Sequence, residues 1–458
     1  MTRAANSHRV GTNLTEGPIL QTLLKFAVPI ILANLIQQLY SMVDLIVIGH
    51  FVGSIGTVGV NTGGEIIDMV TPVAMGFSSA GQIYIAQLAG AGDDARVKKT
   101  VGTLLTFMFS LSFILGSVLI IFSDAFLTML NCPAEAWEQA KSYMIITAMG
   151  TPFIYGYNAV CGVLRGMGES KRPLIFVSIA ATVNIVLDLL FVAVFKMEAA
   201  GTAIATAGSQ LGSFAAAFYF MWKKRDKFDF ELKLSYFKID AKIMWILVKL
   251  GIPQVVRTML VRTGMIWVNS TANSYGLIVS ATNSVGNKLQ KFLEVFIQGI
   301  DGAAAAMIGQ NLGARKTERA GKITLCTAAC AVACAAFSAI LVLLIPRQIY
   351  GLFTKDPEVI ELGVTFLRIM IAHFFISAIT GSFQALVTGS GFVTLGFVLG
   401  VLDGLVCKIG FSVLFAFVFD MGYIGLFWGV ALSRSLPAII NVGYFLSGKW
   451  KTRKLLTD

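Results

Sequence analysis

A chain of 458 residues with 56% hydrophobic and only 13% charged residues, and a mean hydropathy of +0.76, lacks the charge to cover a water-exposed surface, for which a soluble domain uses about 25%. One or two soluble domains, a disordered chain and a nucleic-acid module are thereby excluded as first readings. The net charge of +11 lies in short basic stretches between apolar runs, where loops flanking a membrane hold it.

The leading residues, Met1 to Gln21, are polar and show no apolar core followed by a small-residue cleavage site, so no removable signal peptide is expected. Apolar stretches of about 20 residues, the length that crosses a hydrocarbon core of ~30 Å, follow at 23–50, 57–80, 100–122, 138–160, 174–195, 202–222, 245–270, 277–309, 323–345, 360–385, 393–418 and 423–446. Twelve spans in 458 residues leave little chain for a separate soluble domain.

Within these spans the ionisable and helix-breaking residues stand out. Pro29 lies in the first span; an internal proline removes one helical hydrogen bond and permits a bend. Asp44 follows fifteen residues later, midway in the same span, with Gln37 and Tyr40 as candidate cavity residues before it. Asp188 sits midway in the fifth span, with Asn184 one turn earlier on the same face. A carboxylate near the bilayer centre costs roughly 2.5–3.5 kcal/mol on insertion scales and marks a functional pathway. Two carboxylates sharing an apolar cavity lose hydration and repel one another, which favours uptake of a proton. With Asn184 and Thr206 they also make an oxygen-rich set suited to sodium, so proton and sodium both stay open. Glu65 and Asp68 lie near the outer end of the second span.

The second half mixes signs. Arg257 and Arg262 fall in span seven, Lys288, Lys291 and Glu294 in span eight, Asp403 and Lys408 in span eleven and Arg434 in span twelve. Internal ion pairs are the first expectation; a substrate or cavity role for Arg257, Arg262, Lys288, Glu294 and Asp403 is the second. Cys326, Cys330 and Cys334 share a helix face but have no histidine near them in sequence and read as packing residues. The three histidines, the single Asp93-Asp94 pair and the absence of a P-loop give no catalytic set, so neither an enzyme nor an ATP-driven pump is expected, and no cofactor beyond a coupling ion.

Lys and Arg are distributed unequally between alternate loops. Twenty-three fall on one side, including Arg96, Lys98 and Lys99, Arg165, Lys171 and Arg172, the stretch from Lys223 to Lys242, and Arg315, Lys316, Arg319 and Lys322. The other side holds four, Lys141, Lys196, Arg347 and Lys355. Both termini are therefore expected in the cytoplasm. The chain also repeats. Gly76, Gln87, Gly90, Ala91, Arg96 and Lys99 recur at one constant offset as Gly299, Gln310, Gly313, Ala314, Arg319 and Lys322. Gly166 and Gly168 recur at the same offset as Gly389 and Gly391, and Pro29 recurs as Pro253 with a shift of a single position. Two six-helix lobes follow, 1–225 and 226–458, entering the membrane in the same direction and suited to alternating access.

The segments VDLIVIGHFVG around Asp44, AQLAGAGDDARVKK (86–99), LRGMGESKRP (164–173) and GQNLGARKTERAG (309–321) resemble the multidrug and toxic compound extrusion (MATE) family, and the resemblance covers the whole chain. It implies an all-α integral membrane protein, twelve transmembrane helices in two six-helix lobes related by a pseudo-two-fold repeat. It also implies cation-coupled export of organic, often cationic, compounds; the cytoplasmic membrane is the expected location and a single chain the expected unit, with the oligomeric state left open by the sequence. In the family's DinF-like branch the cation site is an aspartate of helix 1, an asparagine and aspartate one turn apart in helix 5 and a threonine of helix 6, positions that match Asp44, Asn184, Asp188 and Thr206. The glutamate that the NorM-like branch places in helix 7 has no counterpart here. A lipid or oligosaccharide flippase of the same superfamily is the alternative, kept open by the basic residues of the second half.

Overall fold

In a bilayer only a helix or a closed barrel satisfies its own backbone hydrogen bonds, and every long apolar run of this chain is helical. The computed structural model describes residues 11–223 and 238–457, without the side chains of Leu45 and Ser54. The boundary expected at 225/226, and the basic residues Arg3, Arg9, Lys224, Arg225, Lys227 and Lys233, lie outside the described residues. The principal helices are α1 (Ile19–Phe51), α2 (Gly53–Ala91), α3 (Asp94–Ile121), α4 (Trp137–Met149), α5 (Thr151–Gly166), α6 (Lys171–Asp188) and α7 (Glu198–Lys223). They continue with α8 (Ala241–Ser274), α9 (Leu277–Gly313), α10 (Thr317–Leu344), α11 (Pro357–Gly389), α12 (Val393–Val401), α13 (Gly422–Leu432) and α14 (Ser435–Leu446). Among the described residues there is no strand.

Nine helical stretches among the described residues are long and apolar enough to cross a membrane. The other three expected spans also fall on helix. Span 57–80 lies within α2 and span 202–222 within α7, both diluted by Gly, Ser and Thr. Span 138–160 is divided at Gly150 between α4 and α5, of 13 and 16 residues. Small residues lower hydropathy, but they let backbones approach, which is how helices associate without a hydrophobic drive between them.

The repeat read from the sequence recurs as backbone geometry. A Cβ on Gly166 would stand 2.8 Å from the Gln82 carbonyl oxygen, and one on Gly389 would stand 2.8 Å from that of Ala305, the same contact in the second copy. Gly168 and Gly391 both take positive φ, at 85° and 69°, where only glycine sits without strain.

Packing divides the chain into two compact units. The first comprises Leu32–Ile252 with the described residues before Leu14; the second comprises Leu14–Ile31 and Pro253–Asp458. Helices α1 and α8 thus each contribute to both units. The changeovers lie beside Pro29 and at Pro253, the two prolines that the repeat relates.

In the second unit α8 meets the helix that continues α12 at two glycines. A Cβ on Gly264 would overlap the carbonyl oxygen of Gly404, and one on Gly404 would press the backbone at Leu260 and Val261. Overpacking of this kind costs about 1–3 kcal/mol. Gly264→Ala should accordingly lower the thermal stability of the detergent-solubilised protein, whereas Gly443→Ala, whose Cβ would meet nothing within 4 Å, should not. Fluorescence-detected gel filtration after heating reads the difference.

Candidate functional site

The first unit encloses a cavity of about 800 Å³. Helix α1 contributes Gln37, Tyr40 and Asp44 to its wall, α2 contributes Glu65 and Asp68, and α7 contributes Thr202 and Thr206. The residues Gln37, Tyr40, Asp44 and Thr206 singled out in the sequence therefore meet at one cavity. Gln37 and Asp44 both lie beside the Tyr40 side chain. Asp188 lies beside Asp44. It is fully buried at the last turn of α6, and Asn184, one turn earlier, is equally enclosed. Directly after Asp188 the helix changes to the wider i→i+5 winding over Leu189–Val194, a local widening that recurs at functional sites.

The polar atoms of this cluster share a property. Asp44 Oδ1, both carboxylate oxygens of Asp188, both side-chain polar atoms of Asn184 and the hydroxyls of Thr202 and Thr206 are buried without a hydrogen-bond partner among the described residues. A buried polar group left unsatisfied costs about 1–3 kcal/mol, so several gathered together define a place built to receive something. The donor set is oxygen from two carboxylates, two hydroxyls and an amide, which suits a hard monovalent cation or a proton. Thr202 is not among the residues that the sequence singles out. A signal for it exists, since it precedes Thr206 by four residues and shares its helix face.

The second unit treats its charges differently. Glu294 Oε1 lies 2.6 Å from His373 Nε2 and 3.7 Å from Arg434 Nη1, and Arg434 Nε lies 3.5 Å from Asp403 Oδ2. Gln290 and Gln298, one turn to either side of Glu294, donate to its two oxygens at 3.3 and 3.4 Å. Ser377 accepts from Arg434 at 3.2 Å. Arg257 packs along Gly400, where a Cβ would strike its side chain, and Asp403 is an opposite charge near it. Glu294, Asp403 and Arg257 are therefore brought into one network of opposite charges, while the Arg262 and Lys288 side chains are exposed. His373 carries no motif in the sequence; its spacing of four from Ser377 does place both on one face of α11. Asp301 likewise escapes the sequence reading, and it receives the Ser382 hydroxyl at 3.5 Å. Cys326, Cys330 and Cys334 pack against the apolar cluster that includes Leu23, Phe26 and Ile308.

A helical membrane chain built from two repeats, with Asp44, Thr202 and Thr206 on a cavity in one of them, has the design of a membrane transporter. The MatE family model matches residues 29–190 and again 253–414, two copies whose first residues are the related prolines Pro29 and Pro253. The chain belongs to this family of multidrug efflux transporters, whose members are transporters and not enzymes. It is 26% identical over 450 residues to the probable multidrug resistance protein YpnP of Bacillus subtilis (strain 168), covering 97% of this chain and 99% of that one. It is 22% identical over 429 residues to the multidrug export protein MepA of Staphylococcus aureus (strain N315), covering 93% of each. A solved structure described as the outward-facing conformation of a multidrug resistance MATE family transporter superposes with a TM-score of 0.90 at 20% identity, over 97% of this chain and 99% of that one.

Proposed function

We propose that this chain is a DinF-like cation-coupled antiporter that exports organic, cationic or amphipathic compounds across the cytoplasmic membrane, with both termini in the cytoplasm and one chain as the working unit. A proton or a sodium ion is taken up at Asp44, Asn184, Asp188 and Thr206, with Thr202 as an additional ligand, and the lobes alternate in access with a bend at Pro29. The observation that carries this reading is the unsatisfied buried oxygens of Asp44, Thr202 and Thr206 on the cavity of the first unit, with the unsatisfied carboxylate of Asp188 beside Asp44. The names of the relatives support efflux. The flippase alternative needs uncompensated cations in the second unit, and Arg434 and Arg257 there lie beside Glu294 and Asp403.

The test is transport by purified protein in proteoliposomes, with pH and sodium gradients imposed separately against cationic and anionic dyes. Cationic dye should move uphill under one of the two gradients and stop when that gradient is collapsed. Movement driven by neither gradient, or of anionic compounds alone, would overturn the reading.

A further inference from the structure

The repeat offers an internal comparison at the turn before α3 and the turn before α10. The two turns have the same backbone. The Asp93 amide donates to the Leu88 carbonyl at 3.0 Å, and in the second copy the Lys316 amide donates to the Asn311 carbonyl at 2.8 Å. Asp93 has φ −90° and ψ 72°; Lys316 has φ −89° and ψ 60°. Their side chains are of opposite sign. Asp93 accepts from the Arg96 amide and pairs with the Arg96 guanidinium, and those bonds hold its carboxyl below the usual carboxylate range. Its counterpart Lys316 makes no such cap, while Arg319 keeps the position of Arg96. Gly92 and Asp94 are likewise replaced by Arg315 and Thr317, and Lys99 is kept as Lys322.

One half of the molecule thus carries an anion of its own at this turn, and the other half has exchanged it for a cation. Arg315, Lys316, Arg319 and Lys322 line a pocket of about 490 Å³ whose remaining wall is Ile19, Thr317 and Glu318. Lys316 Nζ donates to the Thr15 carbonyl at 3.1 Å, and Arg319 Nη2 to the Glu16 and Gly17 carbonyls at 2.9 and 2.8 Å. Those acceptors are neutral carbonyls, so these hydrogen bonds do not themselves neutralise Lys316 or Arg319. Arg319 Nε is in addition buried without a partner among the described residues. Among the described residues the pocket's lining holds four basic side chains and one carboxylate, on the side of the membrane that the loop charges mark as cytoplasmic, and this is the kind of basic pocket that holds phosphate groups. Guanidinium and ammonium donors suit phosphate oxygens.

We propose that the turn of Arg315, Lys316, Arg319 and Lys322 binds a phosphate group, which occupies the role that the Asp93 carboxylate plays in the first repeat. The group is that of an acidic phospholipid of the inner leaflet or a free phosphate. The inference does not depend on the coupling mechanism.

Lys316→Asp tests it, because that substitution installs the arrangement the first repeat already folds with. The protein is reconstituted in nanodiscs of phosphatidylcholine, with or without phosphatidylglycerol, and separately titrated with inorganic phosphate. Thermal stability and native mass spectrometry of retained lipid are the readouts. The unsubstituted protein should be stabilised by several degrees by the acidic lipid and retain it, or respond equally to millimolar phosphate; the first result assigns a lipid headgroup, the second a free anion. Lys316→Asp should bind at least tenfold more weakly, and Lys322→Gln should show a partial loss should the first variant fold poorly. Lys355→Asp, exposed in another loop, should change nothing. Equal binding of both anions by the unsubstituted protein and by Lys316→Asp and Lys322→Gln, or binding by none of them, would overturn the proposal.

Discussion

Asp188→Asn is expected to abolish uphill export while leaving a chain that still inserts and folds. The substitution keeps the shape of the side chain and removes its capacity to carry a negative charge, and that charge is what a coupling proton or sodium ion would neutralise. At a membrane potential of ~100 mV each coupled charge supplies about 2.3 kcal/mol, and about 1.36 kcal/mol corresponds to a factor of ten. Losing one coupled charge should therefore reduce the attainable concentration ratio of substrate by roughly fifty-fold. Asp44→Asn should act the same way, since the two carboxyls are neighbours. Thr202→Val, which removes one of the unsatisfied hydroxyls without touching a charge, should weaken ion affinity and leave the maximal ratio intact at saturating gradient. Dye accumulation in vesicles, with gel filtration to verify folding, decides the matter; an unchanged ratio in either aspartate variant would sink the coupling assignment.

Much of this site is legible in the amino-acid sequence because the membrane makes charge expensive. In a soluble protein Asp44 and Asp188 would be two acids among many, whereas inside apolar spans they stand out individually. The repeat is legible for a related reason: glycines such as Gly166 and Gly389 are fixed by close backbone contacts that recur in both halves. Other features require the fold. That α1 and α8 each serve both compact units cannot be read from Pro29 and Pro253 alone, because an internal proline permits a bend without saying which neighbours pack on either side of it. The pairing of Glu294 with His373 joins residues 79 apart, and no periodicity on either helix announces its partner. Thr202 escapes notice because threonine is common in membrane helices, where its hydroxyl usually returns to the carbonyl four residues back, as Thr258 and Thr263 do. Only the burial of Thr202 without such a bond distinguishes it.

The network of the second unit yields an ordering that separates a structural role from a transport role. Breaking a buried ion pair by removing one partner costs about 3–5 kcal/mol, because the other charge is left uncompensated. Glu294→Ala exposes Arg434 to that penalty and also removes the hydrogen-bond partner of His373 and the acceptor for Gln290 and Gln298. Taking about 2–4 °C per kcal/mol for a unit of this size, its unfolding midpoint should fall by roughly 6–20 °C. Glu294→Gln retains volume and hydrogen-bonding atoms, so its loss should be smaller. Arg434→Met should be the most damaging of the three, because Arg434 faces both Glu294 and Asp403 and its removal strands two carboxylates. Heating curves of the purified variants test this order, and folded Glu294→Gln protein assayed below its midpoint should retain gradient-driven export. Should Glu294→Gln instead unfold normally and lose export, the network would have to be reassigned from holding the second unit together to binding the ion or the cargo.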